Sequence, residues 1–519
     1  MENAKLKQLP LGISDFKKII DGQFVYVDKT QPIYQLVTSG QYYFLSRPRR
    51  FGKSLLVSTL AELFSGNKDL FKNLWIGASD WQWQKYPVIK IDFSVVDYSS
   101  GDRLEKSLLK LLHTIAQNYE VTLAVTESPK DLFGELIDKL SVKNNVILLV
   151  DEYDKPIVDN IYDRQKAEKQ RIILQNFYST IKAKDAQLRF VLLTGVSKFA
   201  KMSIFSGINN LTDISMDMRY ATMLGYTHHE LIHYFSAEIA RLAKKQKTQY
   251  EETVQKLIDY YDGYQFVEGA DRVFNPYSIL LCYNQDKYKN YWFETGTPAF
   301  LAELLKSGNY DLRSIDRPEL SESELGTLEI DDIPLATLLF QTGYLTIKSY
   351  DISTQNYTLD FPNNEVTSAF SFLMTKTFAK LTNKQTREYA KTIAQALREH
   401  DLEKFRFELQ DLVDTSPYVL QPKQELHLQM TLYTIGRLIG LQTQSEVMTS
   451  TGRADLIMTL PDIIYIIELK INQTAQIALQ QILDKRYHAG YVGGKQQVEL
   501  VGVNFDTETK IVTLVHQPV

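Results

Sequence analysis

The 519-residue sequence predicts an α/β protein with a parallel-sheet domain, a helical middle region and a second α/β domain. Residues 1–225 alternate short apolar strands with amphipathic helices, which is typical of a parallel sheet covered on both faces. Residues 226–400 carry mostly helical apolar spacing. Residues 401–519 follow the order α-β-β-β-α-β and close on a further strand. We take these three ranges as the predicted domains.

Composition limits the class of protein before any motif is considered. Hydrophobic residues make up 44% and charged residues 23%, as in ordinary globular proteins. The longest apolar runs have five residues, whereas a membrane span needs about 20. The N-terminal residues lack the apolar segment of a signal peptide. The one cysteine, Cys282, lies in the apolar run SILLC, which predicts a buried thiol. We therefore expect a cytoplasmic protein that does not enter a membrane.

The N-terminal elements follow from apolar spacing. VILLV, at 146–150, is apolar at every position, as expected of a strand buried on both sides. The predicted strands are 42–45, 88–93, 146–150 and 189–193, and the predicted helices are 54–64, 103–119, 130–140 and 166–183.

A phosphate-binding loop is predicted between the first of these strands and its helix. Gly52-Lys53-Ser54 is the end of the pattern GxxxxGK[ST], in which backbone N–H groups and a helix N-terminus face phosphates. Lys53 would reach the β/γ-phosphates and Ser54 would ligate Mg²⁺. Arg47 stands where the pattern has its first glycine, and Arg49 and Arg50 add further positive charge around the loop.

The ends of two later strands complete this prediction. VILLVDE is a buried strand followed by Asp151, which would hold Mg²⁺, and Glu152, which would orient the attacking water. FVLLTG ends with Thr194, where a polar sensor of the γ-phosphate belongs. The alternative is that Lys53 is a solvated helix lysine and that the two carboxylates cap a helix. The predicted nucleotide-binding residues are Arg49, Arg50, Phe51, Gly52, Lys53, Ser54, Asp151 and Thr194.

Four segments carry a resemblance to a known family. RPRRFGKSLL, VDEYDKP, LLTGVSKF and NYWFETGTP resemble the AAA-ATPase-like proteins that pair a P-loop domain with a C-terminal PD-(D/E)XK nuclease domain. The resemblance extends over nearly the whole chain. It implies ATP and Mg²⁺ as cofactors, a restriction-endonuclease-like C-terminal fold, and a phosphate loop rich in arginine and poor in glycine.

A second site is predicted near the C-terminus. Asp455 and Glu468 lie on neighbouring strands joined by a Pro461-Asp462 turn, so their carboxylates can share one divalent cation. Lys470 points to the same face as Glu468, because side chains alternate along a strand. Two carboxylates, a metal ion and an ammonium group suit phosphodiester hydrolysis. The alternatives are exposed strand residues with a cross-strand ion pair, and a folded but inactive domain.

This second set resembles the PD-(D/E)XK signature, with Ala454 in place of its proline. Glu425 and Glu446 are candidate additional metal ligands. Gln481 and Tyr487 match the QxxxxxY element that the resemblance implies. Residues 401–519 contain 10 Lys and Arg against 14 Asp and Glu, so a duplex-binding surface is not evident, and Lys485, Arg486 and Lys495 are the nearest candidate phosphate contacts.

A further motif matches a zinc-binding pattern but is interpreted as the start of a helix. HELIH, at 229–233, matches the zinc-protease pattern HExxH. Thr227 and Glu230, however, have the spacing of a capping box, which predicts the first turn of a helix.

Three functions remain open from the sequence. The first is a metal-dependent nuclease gated by an NTP-binding domain, acting on nucleic acid, with DNA favoured over RNA. The second is a nucleotide switch whose C-terminal domain binds nucleic acid without cutting it. The third is an NTP-dependent scaffold. Intact Asp455, Glu468 and Lys470 favour the first, and whether the protein is a homo-oligomer stays open.

Overall fold

The structure is a computed structural model, and it describes residues 7–198, 208, 210–292, 301, 315–326, 334–415, 424–438, 441–449 and 452–519. The chain divides into two compact units. The first comprises Met1–Ser307 and Pro318–Glu365, and the second comprises Gly308–Arg317 and Val366–Val519. The predicted domain boundaries at 225 and 400 stay predictions.

A five-stranded parallel sheet lies at the centre of the first unit. Its spatial order is β2-β3-β4-β1-β5. The four predicted strands are confirmed, whereas β5 was not predicted. Because the strands are parallel, Asp151 at the end of β3 and Thr194 near the end of β4 lie at the same edge of the sheet. The strands are β1 Tyr42–Ser46, β2 Val88–Asp92, β3 Val146–Asp151, β4 Leu188–Gly195 and β5 Thr212–Asp213.

Helices surround this sheet, and several begin at a side-chain cap. Ser100, Ser128 and Asp163 each accept the backbone N–H three residues later, which satisfies one donor of the first turn. The α-helices here are α1 Phe16–Asp21, α2 Thr30–Ser39, α3 Lys53–Phe64, α4 Gly101–Asn118, α5 Pro129–Leu140, α6 Lys155–Val158 and α7 Arg164–Ala183. Short 3₁₀ turns occur at Lys68–Phe71, Trp75–Ala78, Phe93–Val95, Asp185–Gln187 and Met218–Tyr220.

The remainder of the first unit is helical, as predicted, but it also contains strands that the sequence did not predict. An antiparallel sheet has the order β8-β10-β9, and β6 pairs with β7. Cys282 is buried among apolar side chains of the helices. The elements are β6 Tyr226–Thr227, α8 His228–Gln246, α9 Tyr250–Tyr261, β7 Val273–Phe274, α10 Pro276–Gln285, β8 Glu319–Ser321, α11 Glu322–Gly326, α12 Leu335–Thr342, β9 Thr346–Asp351 and β10 Asn356–Asp360.

From Gln424 onward the second unit has the predicted element order, but residues 401–519 also contain a helix at Leu402–Thr415 that was not predicted. Its sheet runs β11-β12-β13-β14-β15, with β13 and β14 parallel and the other pairs antiparallel. The elements are α13 Asn364–Met374, which begins at the junction of the units, a π-helical turn Thr375–Ala379, α14 Asn383–Arg398, α15 Leu402–Thr415, α16 Gln424–Leu438, β11 Gln442–Thr449, β12 Gly452–Thr459, β13 Ile463–Ile471, α17 Ala475–Asp484, a 3₁₀ turn Tyr487–Gly490, β14 Gln497–Phe505 and β15 Val512–Pro518. None of the described helices is long and apolar enough to cross a membrane.

Candidate functional site

The loop between β1 and α3 has the conformation that its glycine allows. Gly52 lies just before α3 with a φ of 99°, in the region that glycine adopts without a steric penalty. Arg50 adopts a φ of 71° despite its side chain, at a cost of about 1–2 kcal/mol. The loop therefore places Gly52, Lys53 and Ser54 at the N-terminus of a helix, where a phosphate is favoured.

Lys53 is buried, and its ammonium group is held by the loop itself. Its Nζ donates to the carbonyl oxygens of Arg47, at 2.8 Å, and Pro48, at 3.0 Å. Desolvation lowers the pKa of Lys53, while the carboxylates of Asp151 and Glu152 oppose that shift. The alternative of a solvated helix lysine is therefore wrong.

Arg47 has a structural role that differs from the one expected from its charge. Its guanidinium is buried, donates to the carbonyl oxygens of Ser46 and Ser215, and stacks on Phe266 with 4.2 Å between Cζ and the ring centre. Burial lowers the pKa of Arg47 to about 9. Arg47 thus holds the loop through contacts with Ser215 and Phe266, whereas Arg49 and Arg50 line a cavity beside the loop.

The end of β3 brings two carboxylates to the same edge. Asp151 is buried, and its Oδ1 accepts the Thr194 hydroxyl at 2.6 Å. Glu152 adopts a φ of 52°, and its carboxylate lies 3.8 Å from Nζ of Lys155. Burial raises the pKa of Glu152. The helix-cap alternative does not fit Asp151, which bonds to the neighbouring strand. The Thr194 hydroxyl is already engaged with Asp151, so its role as a phosphate sensor stays a prediction.

A cavity of about 410 Å³ joins Lys53 and Glu152 to an apolar chamber, a volume within the usual range for ligand sites. Its polar end is formed by residues 49–54 with Glu152 and Lys155. Its other end is lined by apolar side chains of residues 10–33 and 223–226 and of α10. The Arg50 guanidinium lies over the Tyr277 ring, at 4.7 Å from its centre. The cavity therefore offers both a phosphate-binding end and an apolar end.

Sequence reasoning missed Asp154, the second aspartate of VDEYDKP. Its buried carboxylate accepts the backbone N–H groups of Val196 and Ser197 and the Ser197 hydroxyl. Burial raises the pKa of Asp154. These bonds join the segment after β3 to the segment after β4, next to Asp151 and Thr194. The signal that could have found it is a further acidic residue so close to the end of a buried strand.

The second unit brings Asp455 and Glu468 to neighbouring positions on β12 and β13. Leu456 lies opposite Ile467 in this antiparallel pair. Asp455 precedes Leu456 and Glu468 follows Ile467, so the two carboxylates lie at neighbouring positions on the two strands. The N–H of Leu469 donates to Oδ2 of Asp455 at 2.8 Å. Asp455 is 9% and Glu468 is 1% exposed. The alternative of exposed strand residues is therefore wrong.

Lys470 and Gln481 converge on the same carboxylate. Nζ of Lys470 lies 2.9 Å from Oε1 of Glu468. The Gln481 side-chain amide donates to that oxygen and also to the Tyr487 hydroxyl, at 3.3 Å. Of the predicted QxxxxxY pair, Gln481 on α17 thus contacts Glu468 directly, and Tyr487 in the turn after α17 contacts Gln481.

The ability of each site to hold a metal ion can be judged from its donors. Asp455 and Glu468 supply buried carboxylate oxygens, the ligand type that Mg²⁺ prefers, and Ser54 with Asp151 supplies a hydroxyl and a carboxylate. The described residues contain no group of three or more His, Cys, Asp or Glu side chains suited to a metal. Glu425 and Glu446 belong to α16 and β11, but their side chains lie outside the described residues. The adjacent pair Asp455 and Glu468 fits a hard divalent cation completed by water or phosphate oxygens, and Ser54 and Asp151 each offer a donor of the type that such a cation binds.

The HELIH motif begins a helix, as predicted. Thr227 accepts the N–H of Glu230, and the Glu230 carboxylate accepts the N–H of Thr227, which forms a complete capping box. The same carboxylate also lies 2.6 Å from Nζ of Lys29. Glu230 is thus occupied by the helix cap and an ion pair.

Comparisons with known proteins agree with the two units of this fold. The family described as Predicted AAA-ATPase matches residues 10–205. The PD-(D/E)XK nuclease superfamily matches residues 423–514. The chain is also 35% identical over 519 residues, 98% of each chain, to "Uncharacterized protein in vnfD 5'region" from Azotobacter chroococcum mcd 1.

Proposed function

Because the chain belongs to the family of predicted AAA-ATPases that carry a PD-(D/E)XK nuclease superfamily domain, we propose that it is an ATP-dependent nuclease. The observation that carries this proposal is the cluster of Asp455, Glu468 and Lys470, with Gln481 holding the glutamate. Two buried carboxylates beside an ammonium group suit phosphodiester hydrolysis better than binding alone.

The nucleotide half of the proposal rests on the cavity of the first unit. The backbone of Arg49, Arg50, Phe51 and Gly52 would surround the phosphates of ATP, and Lys53 would leave its loop carbonyls to bind the β/γ-phosphates. Ser54 and Asp151 would hold Mg²⁺, which neutralises phosphate charge when bound. Glu152, at the same edge, would orient the water that attacks the γ-phosphate.

In the nuclease half, Asp455 and Glu468 would hold Mg²⁺, with Glu425 as a further ligand. The metal, when bound, polarises the scissile phosphate and lowers the pKa of a coordinated water. Lys470 stabilises the negative charge that develops on the phosphate oxygens. Gln481 fixes the carboxylate of Glu468 in position.

The gating part of the proposal starts from the packing of the phosphate loop within the first unit. Phe51 packs edge-on against Tyr264 and Phe266, at 4.8 and 5.3 Å between ring centres. Pro48 lies so close to Gly343 that a Cβ there would be 2.6 Å from the proline ring. A loop that rearranges around ATP would therefore push on residues 264–266 and 343. We propose that this movement controls cleavage of nucleic acid, with DNA favoured over RNA as the substrate. We also propose that the protein is cytoplasmic and can form a homo-oligomer.

The test is a cleavage assay on single- and double-stranded DNA and RNA with Mg²⁺, with and without ATP. We expect ATP-dependent cleavage by the wild type, none by Asp455→Asn, and loss of the ATP effect in Lys53→Ala. Glu152→Gln separates binding from turnover, since its amide should retain ATP binding and lose most hydrolysis. Binding without cleavage of every substrate would favour the alternative, a nucleotide switch that binds nucleic acid without cutting it.

A further inference from the structure

A short basic loop follows the helix that carries Gln481. This loop, Lys485–Lys495 with the sequence KRYHAGYVGGK, contains Lys485, Arg486 and Lys495 and no acidic residue. It holds three of the 10 Lys and Arg of residues 401–519, a region in which 14 Asp and Glu prevail. Positive charge is therefore concentrated on this loop within an acidic part of the chain.

The basic loop is anchored beside the predicted metal site. Tyr487 is buried in the same apolar cluster as Ala454, which precedes Asp455 on β12. The Tyr487 hydroxyl accepts a hydrogen bond from Gln481, and Gln481 donates to Glu468. The other end of the loop leads into β14, whose first residue, Gln497, donates its N–H to the Asp462 carbonyl at 2.9 Å.

Between these anchors, the basic loop faces open space. Arg486, Lys495 and Val492 are exposed. A Cβ built on Gly490 or Gly493 would meet none of the described atoms within 4 Å. Glycine at these positions lets a second chain approach the backbone closely, and the flanking cations can reach phosphate oxygens.

We propose that the basic loop binds the sugar-phosphate backbone of the nucleic acid and holds the strand over Asp455 and Glu468. This inference rests on the proposed nuclease function and adds the surface that engages its substrate. The contact is independent of sequence, because it is made to phosphates and not to base edges. An anionic lipid surface would satisfy the same cations. The position of the loop beside two carboxylates suited to phosphodiester chemistry favours nucleic acid.

The test compares two double variants that each remove two positive charges from the second unit. Arg486→Gln with Lys495→Gln changes the basic loop, and Lys404→Gln with Lys510→Gln is the matched control outside it. Binding of fluorescent single- and double-stranded DNA and RNA is measured by anisotropy in EDTA, where metal-dependent cleavage is blocked, over a range of salt concentrations. Circular dichroism checks the fold of both variants.

We expect the loop variant to bind about tenfold more weakly and to lose about two from the slope of log affinity against log salt, one per phosphate contact. The control variant and Asp455→Asn should keep the wild-type slope. An unchanged slope in the loop variant, or an equal loss in the control, overturns the proposal even if the wild type cleaves with Mg²⁺. Failure of the wild type to bind any nucleic acid also overturns it, as does a loop-dependent loss confined to phosphatidylserine vesicles. Loss of cleavage in Asp455→Asn separately tests the nuclease function.

Discussion

The hydroxyl of Thr194 donates to Oδ1 of Asp151 across neighbouring parallel strands, at 2.6 Å. This bond fixes the carboxylate that would hold Mg²⁺ in the nucleotide site. Thr194 therefore positions Asp151 in this structure, whatever contact it makes with a γ-phosphate when ATP is bound.

Thr194→Val should slow ATP turnover by about tenfold or more, since a metal ligand that loses its outer partner typically costs that much. Thr194→Ser keeps the hydroxyl and should retain most activity. Phosphate release at saturating ATP measures the effect, and metal-free ATP affinity should change little. Equal turnover in Thr194→Val and wild type would show that the bond does not matter for hydrolysis.

Lys53→Ala should abolish ATP binding, because it removes the ammonium group placed to reach the β/γ-phosphates. In the wild type, ATP affinity should fall as the pH rises through the pKa of Lys53, which burial lowers below its ordinary value. The sign follows because only the protonated amine attracts phosphate. Titration calorimetry at several pH values checks both points, and tight binding by Lys53→Ala would contradict the assignment.

Gln481→Leu should reduce metal-dependent cleavage by about 10–100-fold, because Glu468 loses the amide that orients it. Tyr487→Phe is the matched comparison. It removes only the hydroxyl that accepts from Gln481, so its effect should be smaller. Cleavage rates as a function of Mg²⁺ concentration distinguish lost metal affinity from lost turnover. A Tyr487→Phe effect as large as that of Gln481→Leu would assign the main role to the tyrosine.

Gly343→Ala should destabilise the first unit and weaken ATP binding. The φ of this residue is 90°, and its new Cβ would lie 2.6 Å from the Pro48 ring, so left-handed strain and overpacking together cost about 2–4 kcal/mol. Gly269→Ala is the control: its φ is 75°, but the nearest atom to its Cβ is Met218 Cε, at 3.8 Å. Thermal unfolding and ATP titration of both variants separate strain from displacement of the phosphate loop. Equal ATP affinities in the two variants would contradict the coupling.

Asp154→Ala should cost about 2–3 kcal/mol, since it leaves buried N–H groups without their acceptor. Asp154→Asn should lower the free energy of unfolding by less. Its stability relative to the wild type should increase as the pH rises. Burial raises the pKa of Asp154 above its ordinary value of 3.8. The protonated Asp154 side chain therefore makes its full contribution to stability below pH 3.8, and this contribution is lost as the pH rises through the folded-state pKa. The difference in melting temperature between Asp154→Asn and wild type, measured from pH 4 to 8, should change in that direction. A constant difference would show that the carboxylate does not titrate there.

The sequence predicted the strands whose apolar residues are continuous, because such runs have few other stable environments. VILLV became β3, and the segment around Glu468 became β13, each buried along most of its length. β9 and β10 were missed because their burial alternates only partly and their sheet is completed by β8, which is distant in sequence.

The candidate sites were predictable where local patterns specify them, as for Gly52-Lys53-Ser54 and for Glu468 with Lys470. Contacts across the fold were not predictable. Asp154 is held by hydrogen bonds from Val196 and Ser197, more than 40 residues later in the chain. No local spacing in the sequence predicts these hydrogen bonds. Arg47 was expected to add charge to the loop, but its guanidinium is bound by the Ser215 carbonyl and Phe266.

The single buried cysteine makes the protein well suited to site-directed spectroscopy. Burial raises the pKa of the Cys282 thiol to about 12, and maleimide reagents require the thiolate. A fluorophore or spin label would therefore attach to cysteines introduced on the surface, with little background from the native thiol. Label pairs placed within the first unit, for example at cysteines introduced on the exposed faces of α5 and α9, would report nucleotide-driven movement directly, without removal of the native Cys282.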